Sequence, residues 1–337
     1  MEEKPKSFIR RILPGIVISV VVIAILAAVV DPQILLQTFR NVSLELVLMF
    51  FLLQTVAFFF RGLAWRVTLD KKPSVMQSFL TITEGYLLNL LPFRLGEIGR
   101  SVIMGGLINE SPVRVFSTVM LERLFDVLIT LIILFLTIPL VSQVNLSVGL
   151  YLILGGILVA GLIVLYLIIR NQQQFISFMK KFISEERKLG RFLYPQLNSL
   201  FSGFQILNNP GKFMIWLFWI LMTWVCWLLS LNIAMRAFFP ELPAWASLFV
   251  QSITALGGAI PAAPAGIGVI EGAFVTALAF FGIDQSRSLG FGMFVHTLGI
   301  ITPVIYGIIG FIIQGQRFSE VFTRLKHTDL SQKEDVE

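Results

Sequence analysis

Charge is what this chain has least of. Asp, Glu, Lys and Arg make up 14% of its 337 residues, against about 25% in a soluble domain. Hydrophobic residues reach 56% and the mean hydropathy is +0.84, which together mark an integral membrane protein. Cysteine is scarcer still. Cys226 lies alone in an apolar run, which excludes a disulfide framework. The two histidines, His296 and His327, have no cysteine or second histidine beside them, which argues against a zinc site. No metal and no other cofactor is expected, and no nucleotide motif suggests ATP drive. The net charge of +6 is not read as nucleic-acid affinity, because in a membrane protein surplus Lys and Arg mark cytoplasmic loops and anionic headgroups.

Two stretches break the apolar background. The first, Leu90-Leu91-Pro92-Phe93-Arg94-Leu95-Gly96-Glu97-Ile98-Gly99-Arg100, holds a proline, two glycines and three charges. The second is Ile260-Pro261-Ala262-Ala263-Pro264-Ala265-Gly266-Ile267-Gly268-Val269-Ile270-Glu271. Lipid has no water to satisfy a broken backbone, so each break must lie outside the bilayer or line a cavity within the protein.

Around the breaks the chain reads as helices. Residues 12–30 are uncharged behind Lys4, Lys6, Arg10 and Arg11. At about 1.5 Å per residue this run can cross a ~30 Å core, and it is expected as a retained first helix rather than a cleaved signal. A second helix is expected at 44–61, closing into Arg61, Arg66, Lys71 and Lys72. The segments 74–91 and 96–108 flank the first break. A helix at 113–140 follows Ser111-Pro112, which suits an N-cap with proline in the first turn. An uncharged helix is expected at 148–169 and a basic amphipathic stretch on the membrane surface at 170–212. The helix at 213–235 carries Trp216, Trp219, Trp224 and Trp227, read as packing and interface anchors. Segments 245–260 and 269–281 flank the second break, 289–314 forms the last helix, and 319–337 is a polar tail. Pro303 is read as a kink in that last helix.

The loop charges give a topology. The N-terminus, the exit of the second helix, 170–212 and the residues after 314 are basic, whereas 31–43, 141–147 and 236–244 carry little positive charge. The expected fold is therefore an all-α integral membrane protein of six full transmembrane helices plus two re-entrant broken-helix hairpins, with both termini cytoplasmic. The first hairpin enters from the cytoplasm and the second from outside. The chain forms one polytopic domain made of an inverted repeat, 12–140 and 148–314. Such repeats with broken helices are a transporter pattern.

The helices that return from the breaks start with unpaired amides and a partial positive end. Gly96 and Gly99, and Gly266 and Gly268, let backbone approach a ligand. Two such ends facing each other suit a phosphate or carboxylate, and Arg94 and Arg100 add charge with phosphate-matching geometry. Glu84, Glu97, Glu122, Asp126 and Glu271 also fall in segments expected within the membrane, so they must pair or face water. Arg94, Arg100 and Arg123 are the available partners, and Glu122 and Asp126 share one helix face. For Glu122, Arg123 and Asp126 a structural ion network and a functional role weigh equally. Glu271 either meets an arginine of the first half or is protonated. His296 reads as a satisfied buried histidine, not a proton relay.

Asn89 through Glu97 with Arg100, the Glu122-Arg123-Leu-Phe-Asp126 group, and Pro261 through Gly268 with Glu271 resemble the lysylphosphatidylglycerol synthase transmembrane region family, a flippase-like membrane domain. The resemblance covers about residues 12–314. It implies a prokaryotic cytoplasmic-membrane protein in which Arg94, Glu97, Arg100 and Glu271 line a lipid-headgroup cavity. Only 319–337 follows the last helix, so the resemblance carries no expectation of synthase activity. The function expected is a flippase for an anionic phospholipid or a polyprenyl-phosphate-linked substrate. Asn89, Glu84, Glu122, Arg123, Asp126, Gly266 and Gly268 join the four named residues as candidate substrate contacts. The alternatives are a membrane-embedded transferase using Glu122 and Asp126, and a non-catalytic envelope scaffold. Membrane lipids are the expected partners, with a homo-oligomer and a separate lipid-modifying enzyme compatible with the sequence.

Overall fold

A computed structural model of the chain describes residues 42–90, 95–141, 201–259 and 264–314, with isolated positions between 147 and 194. The expected helix at 12–30, most of those at 148–169 and 170–200, the residue Arg94 and the tail at 319–337 lie outside the described residues. Among the described residues the secondary structure is entirely helical, with eight α-helices. They are α1 (Leu44–Thr68), α2 (Val75–Leu88), α3 (Gly96–Ile108), α4 (Pro112–Thr137), α5 (Pro210–Phe238), α6 (Ala246–Ala259), α7 (Val269–Ala279) and α8 (Gln285–Gln314).

Local chemistry sets the helix ends. The Ser43 hydroxyl accepts from the Leu46 amide at 3.2 Å to start α1. Ser74 and Gln77 form a reciprocal capping box on α2. Asn209 caps α5, accepting from the Lys212 amide at 3.1 Å, with Pro210 in the first turn. Asn109 closes α3 in the left-handed region at φ 57°. Inside the apolar helices, hydroxyls bond back one turn. Thr130 donates to the Asp126 carbonyl, Thr223 to Trp219 and Thr254 to Val250, so they need no water.

Three helices, α1, α5 and α8, are long and apolar enough to cross a membrane. Their outward residues are large and apolar, among them Leu48 and Leu52 on α1, Phe218 and Leu229 on α5, and Ile305 and Ile309 on α8. The chain is a multi-pass membrane protein. Where helices meet in such a setting, small residues let backbones close up. Gly62 on α1 abuts the Phe79 backbone of α2, and Gly307 and Gly310 on α8 abut Thr83 and Glu84 of α2.

The helix packing follows a pairwise pattern. α1 lies against α5. α2 packs on α8, and α4 on α6. α2 and α3 fold back on each other across the first break, as do α6 and α7 across the second. α1 runs seven residues beyond its expected end at Arg61, because that arginine is fully buried and neutralised within the bundle rather than placed in a loop.

Candidate functional site

The two breaks touch. The Ala265 amide of the second donates to the Leu90 carbonyl of the first at 3.1 Å. Ala265 takes φ 56°, and Gly266 and Gly268 take φ 74° and 84°. Three left-handed residues in four positions turn the chain sharply, which glycine tolerates without strain and alanine does not.

One backbone amide at the start of each returning helix is held by a side chain. The Asn89 side-chain oxygen accepts from the Gly96 amide at 2.8 Å, and its amide nitrogen donates to Glu97 Oε1 at 3.3 Å. Glu271 Oε2 accepts from the Gly268 amide at 2.6 Å. One amide at each of the two expected anion-seeking helix ends is therefore already taken. Each end is capped by a side chain of its own hairpin, and at α7 that cap is itself a carboxylate.

Beside the breaks lies a cluster of six charged side chains. Arg61 Nε and Nη2 donate to Glu122 Oε1 at 3.0 and 2.8 Å, and its guanidinium also bonds to both oxygens of Asp126. Arg100 Nη2 donates to the same Glu122 oxygen at 2.7 Å and stacks over the Trp65 ring. Arg123 donates to the Tyr86 hydroxyl at 3.0 Å and lies 3.4 Å from Asp126 and 3.7 Å from Glu97. The Trp224 indole N–H donates to Asp126 at 3.2 Å. Three arginines meet three carboxylates, so the cluster is neutral as a whole.

A cavity of about 750 Å³ opens onto one side of this cluster. Its polar wall holds Asn89, Glu97, Arg123, Asp126 and His296. Its apolar wall includes Phe50, Phe116, Trp227, Phe274 and Ile300. Of the candidate residues, Asn89, Glu97, Arg123, Asp126 and Gly266 line it. Arg100 and Glu122 do not, since each is 1% exposed and committed to the buried ion cluster. Gly268, which is exposed, and the buried Glu271 are outside the cavity lining at the start of α7, and Glu84 lies between α2 and α8 against Gly310. Arg123, with 30% of its side chain exposed, is the cation of this cluster that reaches the cavity.

One member of the cluster escaped the sequence reading. Arg61 was expected as the last residue of its helix and not as a partner for the buried carboxylates, although Leu63, Ala64, Trp65 and Val67 continue the apolar pattern past it and signal a longer helix. Glu271 was expected to meet a first-half arginine or to be protonated; its partner is His296, whose Nδ1 lies 2.7 Å from Glu271 Oε1. His296 is therefore satisfied, but by a titratable partner 25 residues away.

Residues 12–307 match the model of a known protein family, described as Lysylphosphatidylglycerol synthase TM region. Comparisons with curated proteins and with solved structures gave no match.

Proposed function

The chain belongs to the Lysylphosphatidylglycerol synthase TM region family, and we propose that it is a lipid transporter that moves a phosphate-bearing headgroup between leaflets. The family itself supports a membrane protein of lipid-related function. The observation that carries the finer reading is the cavity. It joins a charged wall to an aromatic and aliphatic wall, beside the contact between the two breaks. An amphipathic lipid needs such a surface, with polar groups for the headgroup and apolar groups for the first methylenes of its chains.

In this reading Arg123 receives the phosphate, exchanging its long contact with Glu97 for shorter ones to phosphate oxygens. Asn89 and Glu97 stand beside it for hydroxyl or amine groups of the headgroup. Arg94 remains a candidate for the same role. Anionic phospholipids and polyprenyl-phosphate-linked lipids both meet this description. Glu122 and Asp126 are read as structural, because Arg61 holds both, and the chain as a carrier rather than an enzyme. We place it in a prokaryotic cytoplasmic membrane with both termini inside, as six spans and two re-entrant hairpins forming an inverted repeat. The matched packing of α2 on α8 and of α4 on α6 supports the repeat.

The test is lipid translocation by the purified full chain in proteoliposomes, using fluorescent phosphatidylglycerol and polyprenyl phosphate as probes. Wild type should move at least one of them, and Arg123→Ala should lose at least about tenfold in rate, the loss of one charge-assisted contact, measured well below the thermal midpoint of the variant, which also loses the ion pair to Asp126. Translocation equal to protein-free vesicles for both probes would sink the reading.

A further inference from the structure

His296 is held in a way that fixes a proton. Its Nε2 lies 3.1 Å from the Ala265 carbonyl oxygen, and its Nδ1 lies 2.7 Å from Glu271 Oε1. A carbonyl only accepts, so Nε2 carries a hydrogen. A second hydrogen must then lie between Nδ1 and the carboxyl group, on one or the other. Both assignments give the pair the same proton count and the same net charge of zero. With that proton gone, the neutral ring has a single N–H, which can donate to the Glu271 carboxylate or to the Ala265 carbonyl but not to both, so one of the two contacts is lost.

The pair also binds parts of the fold together. The amide of Ala265 donates to Leu90, its carbonyl accepts from His296, and Glu271 caps the Gly268 amide. A continuous path of hydrogen bonds thus runs from the first break, through the second, onto α8 and back to the start of α7. His296, Ala265 and Gly266 lie on the cavity wall, so a proton can reach the pair from there.

Few other charges bear on it. Among the described residues α6 has no titratable side chain, α7 has only Glu271, and α8 adds Arg287, bound at its far end near Glu241, and Tyr306. α2 brings Glu84, set against Gly310, and Tyr86. α1 brings Arg61, held by Glu122 and Asp126, with Glu45 and Arg66 at its ends. α5 brings Cys226, with Lys212 and Arg236 at its ends. Glu97, Arg123 and Asp126 share the cavity wall with His296.

We propose that His296 and Glu271 form a proton-binding latch. The protonated pair holds both Ala265 on the second break and Glu271 at the start of α7 to α8, and release of the proton frees one of the two. The sign follows: the latch is closed at low pH and opens as pH rises through the titration of the pair. Its role as the coupling step of transport rests on the carrier reading above, while the latch itself does not.

Glu271→Gln separates the possibilities. A glutamine amide donates to Nδ1 and its carbonyl accepts from Gly268, which rebuilds every bond without the labile proton. Hydrogen–deuterium exchange of peptides covering residues 264–275 is followed on the full chain in nanodiscs of phosphatidylethanolamine and phosphatidylglycerol. The range is roughly pH 5 to 8, where histidine pairs exchange charge. After correction for intrinsic exchange, wild type should lose about tenfold or more in protection as pH rises. Glu271→Gln should stay protected throughout, and His296→Leu should be unprotected throughout. Wild-type protection that ignores pH, or a Glu271→Gln profile that follows wild type, overturns the latch. The same proteins in vesicles with fluorescent phosphatidylglycerol address coupling. A pH-dependent exchange profile without lipid movement removes the carrier reading and leaves the latch. Lipid movement with equal pH dependence in wild type and Glu271→Gln overturns the coupling role.

Discussion

Arg61 illustrates how one side chain decides whether a bundle can hold its charges. It is fully buried, and it neutralises two carboxylates on α4 from a position on α1. A planar guanidinium can fork between them; an ammonium cannot. Arg61→Met should therefore destabilise the protein by about 3 kcal/mol, at the low end for breaking a buried pair. The reason for the low end is that Arg100 still bonds to Glu122, and Trp224 and Arg123 still reach Asp126. Arg61→Lys should recover only part of the loss, and thermal unfolding in detergent reads both. A contrasting residue is Glu110, in the turn before α4. Its hydrogen bond to Lys72, with further help from Arg114, holds its carboxyl below the usual range. A lowered folded value means that its contribution is present above the ordinary carboxylate range, about pH 4.3, and is lost as pH falls through the folded value. Thermal midpoints measured downward from neutral pH should show a shallow acid limb in wild type that Glu110→Gln lacks, shallow because the pair is exposed to solvent.

At the scale of elements, the first hairpin depends on how closely α2 and α3 approach. A methyl group on Gly96 would overlap the Gly85 carbonyl and the Asn89 side chain, while one on Gly99 would meet only the end of Leu88. Backbone cannot yield as a leucine tip can. Gly96→Ala should thus cost about 1–3 kcal/mol and pull Asn89 off the α3 amide, whereas Gly99→Ala should cost distinctly less in the same melting experiment. The hairpin's returning helix was legible in advance, beginning at Gly96 and ending at Ile108 as expected, because glycine, proline and asparagine mark those ends through local conformation. The second hairpin was read to within a residue or two for the same reason. What could not be read is pairing across distance. Arg61 and Glu122 are 61 residues apart, and Glu271 and His296 are 25 apart. No periodicity or cap announces such a partner. The burial of Arg100 behind the cavity wall is likewise a property of packing, invisible in the spacing that made it look like a ligand.

At the scale of the whole molecule, the helices before residue 141 pack against those after residue 200, in the pattern that the proposed repeat requires. α1 meets α5, and each hairpin's first helix packs on the last helix of the other half, α2 on α8 and α6 on α4. The halves are thus interleaved, and the breaks meet where Ala265 bonds to Leu90. If transport proceeds by rocking one half against the other, this contact must open and close in every cycle, because it joins the halves beside the cavity. The Ala265–Leu90 hydrogen bond brings the two backbones close, and a disulfide between them further needs their Cβ atoms to turn toward each other, which the mobility of a rocking contact supplies. Cysteines at Leu90 and Ala265, with Cys226→Ser to remove the native thiol, should therefore cross-link under oxidation, stop lipid movement in proteoliposomes and release it on reduction. A cross-linked protein that transports at the uncross-linked rate would show that the breaks stay joined throughout, and that any motion admitting the headgroup arises between α4 and α6 or between α2 and α8 instead.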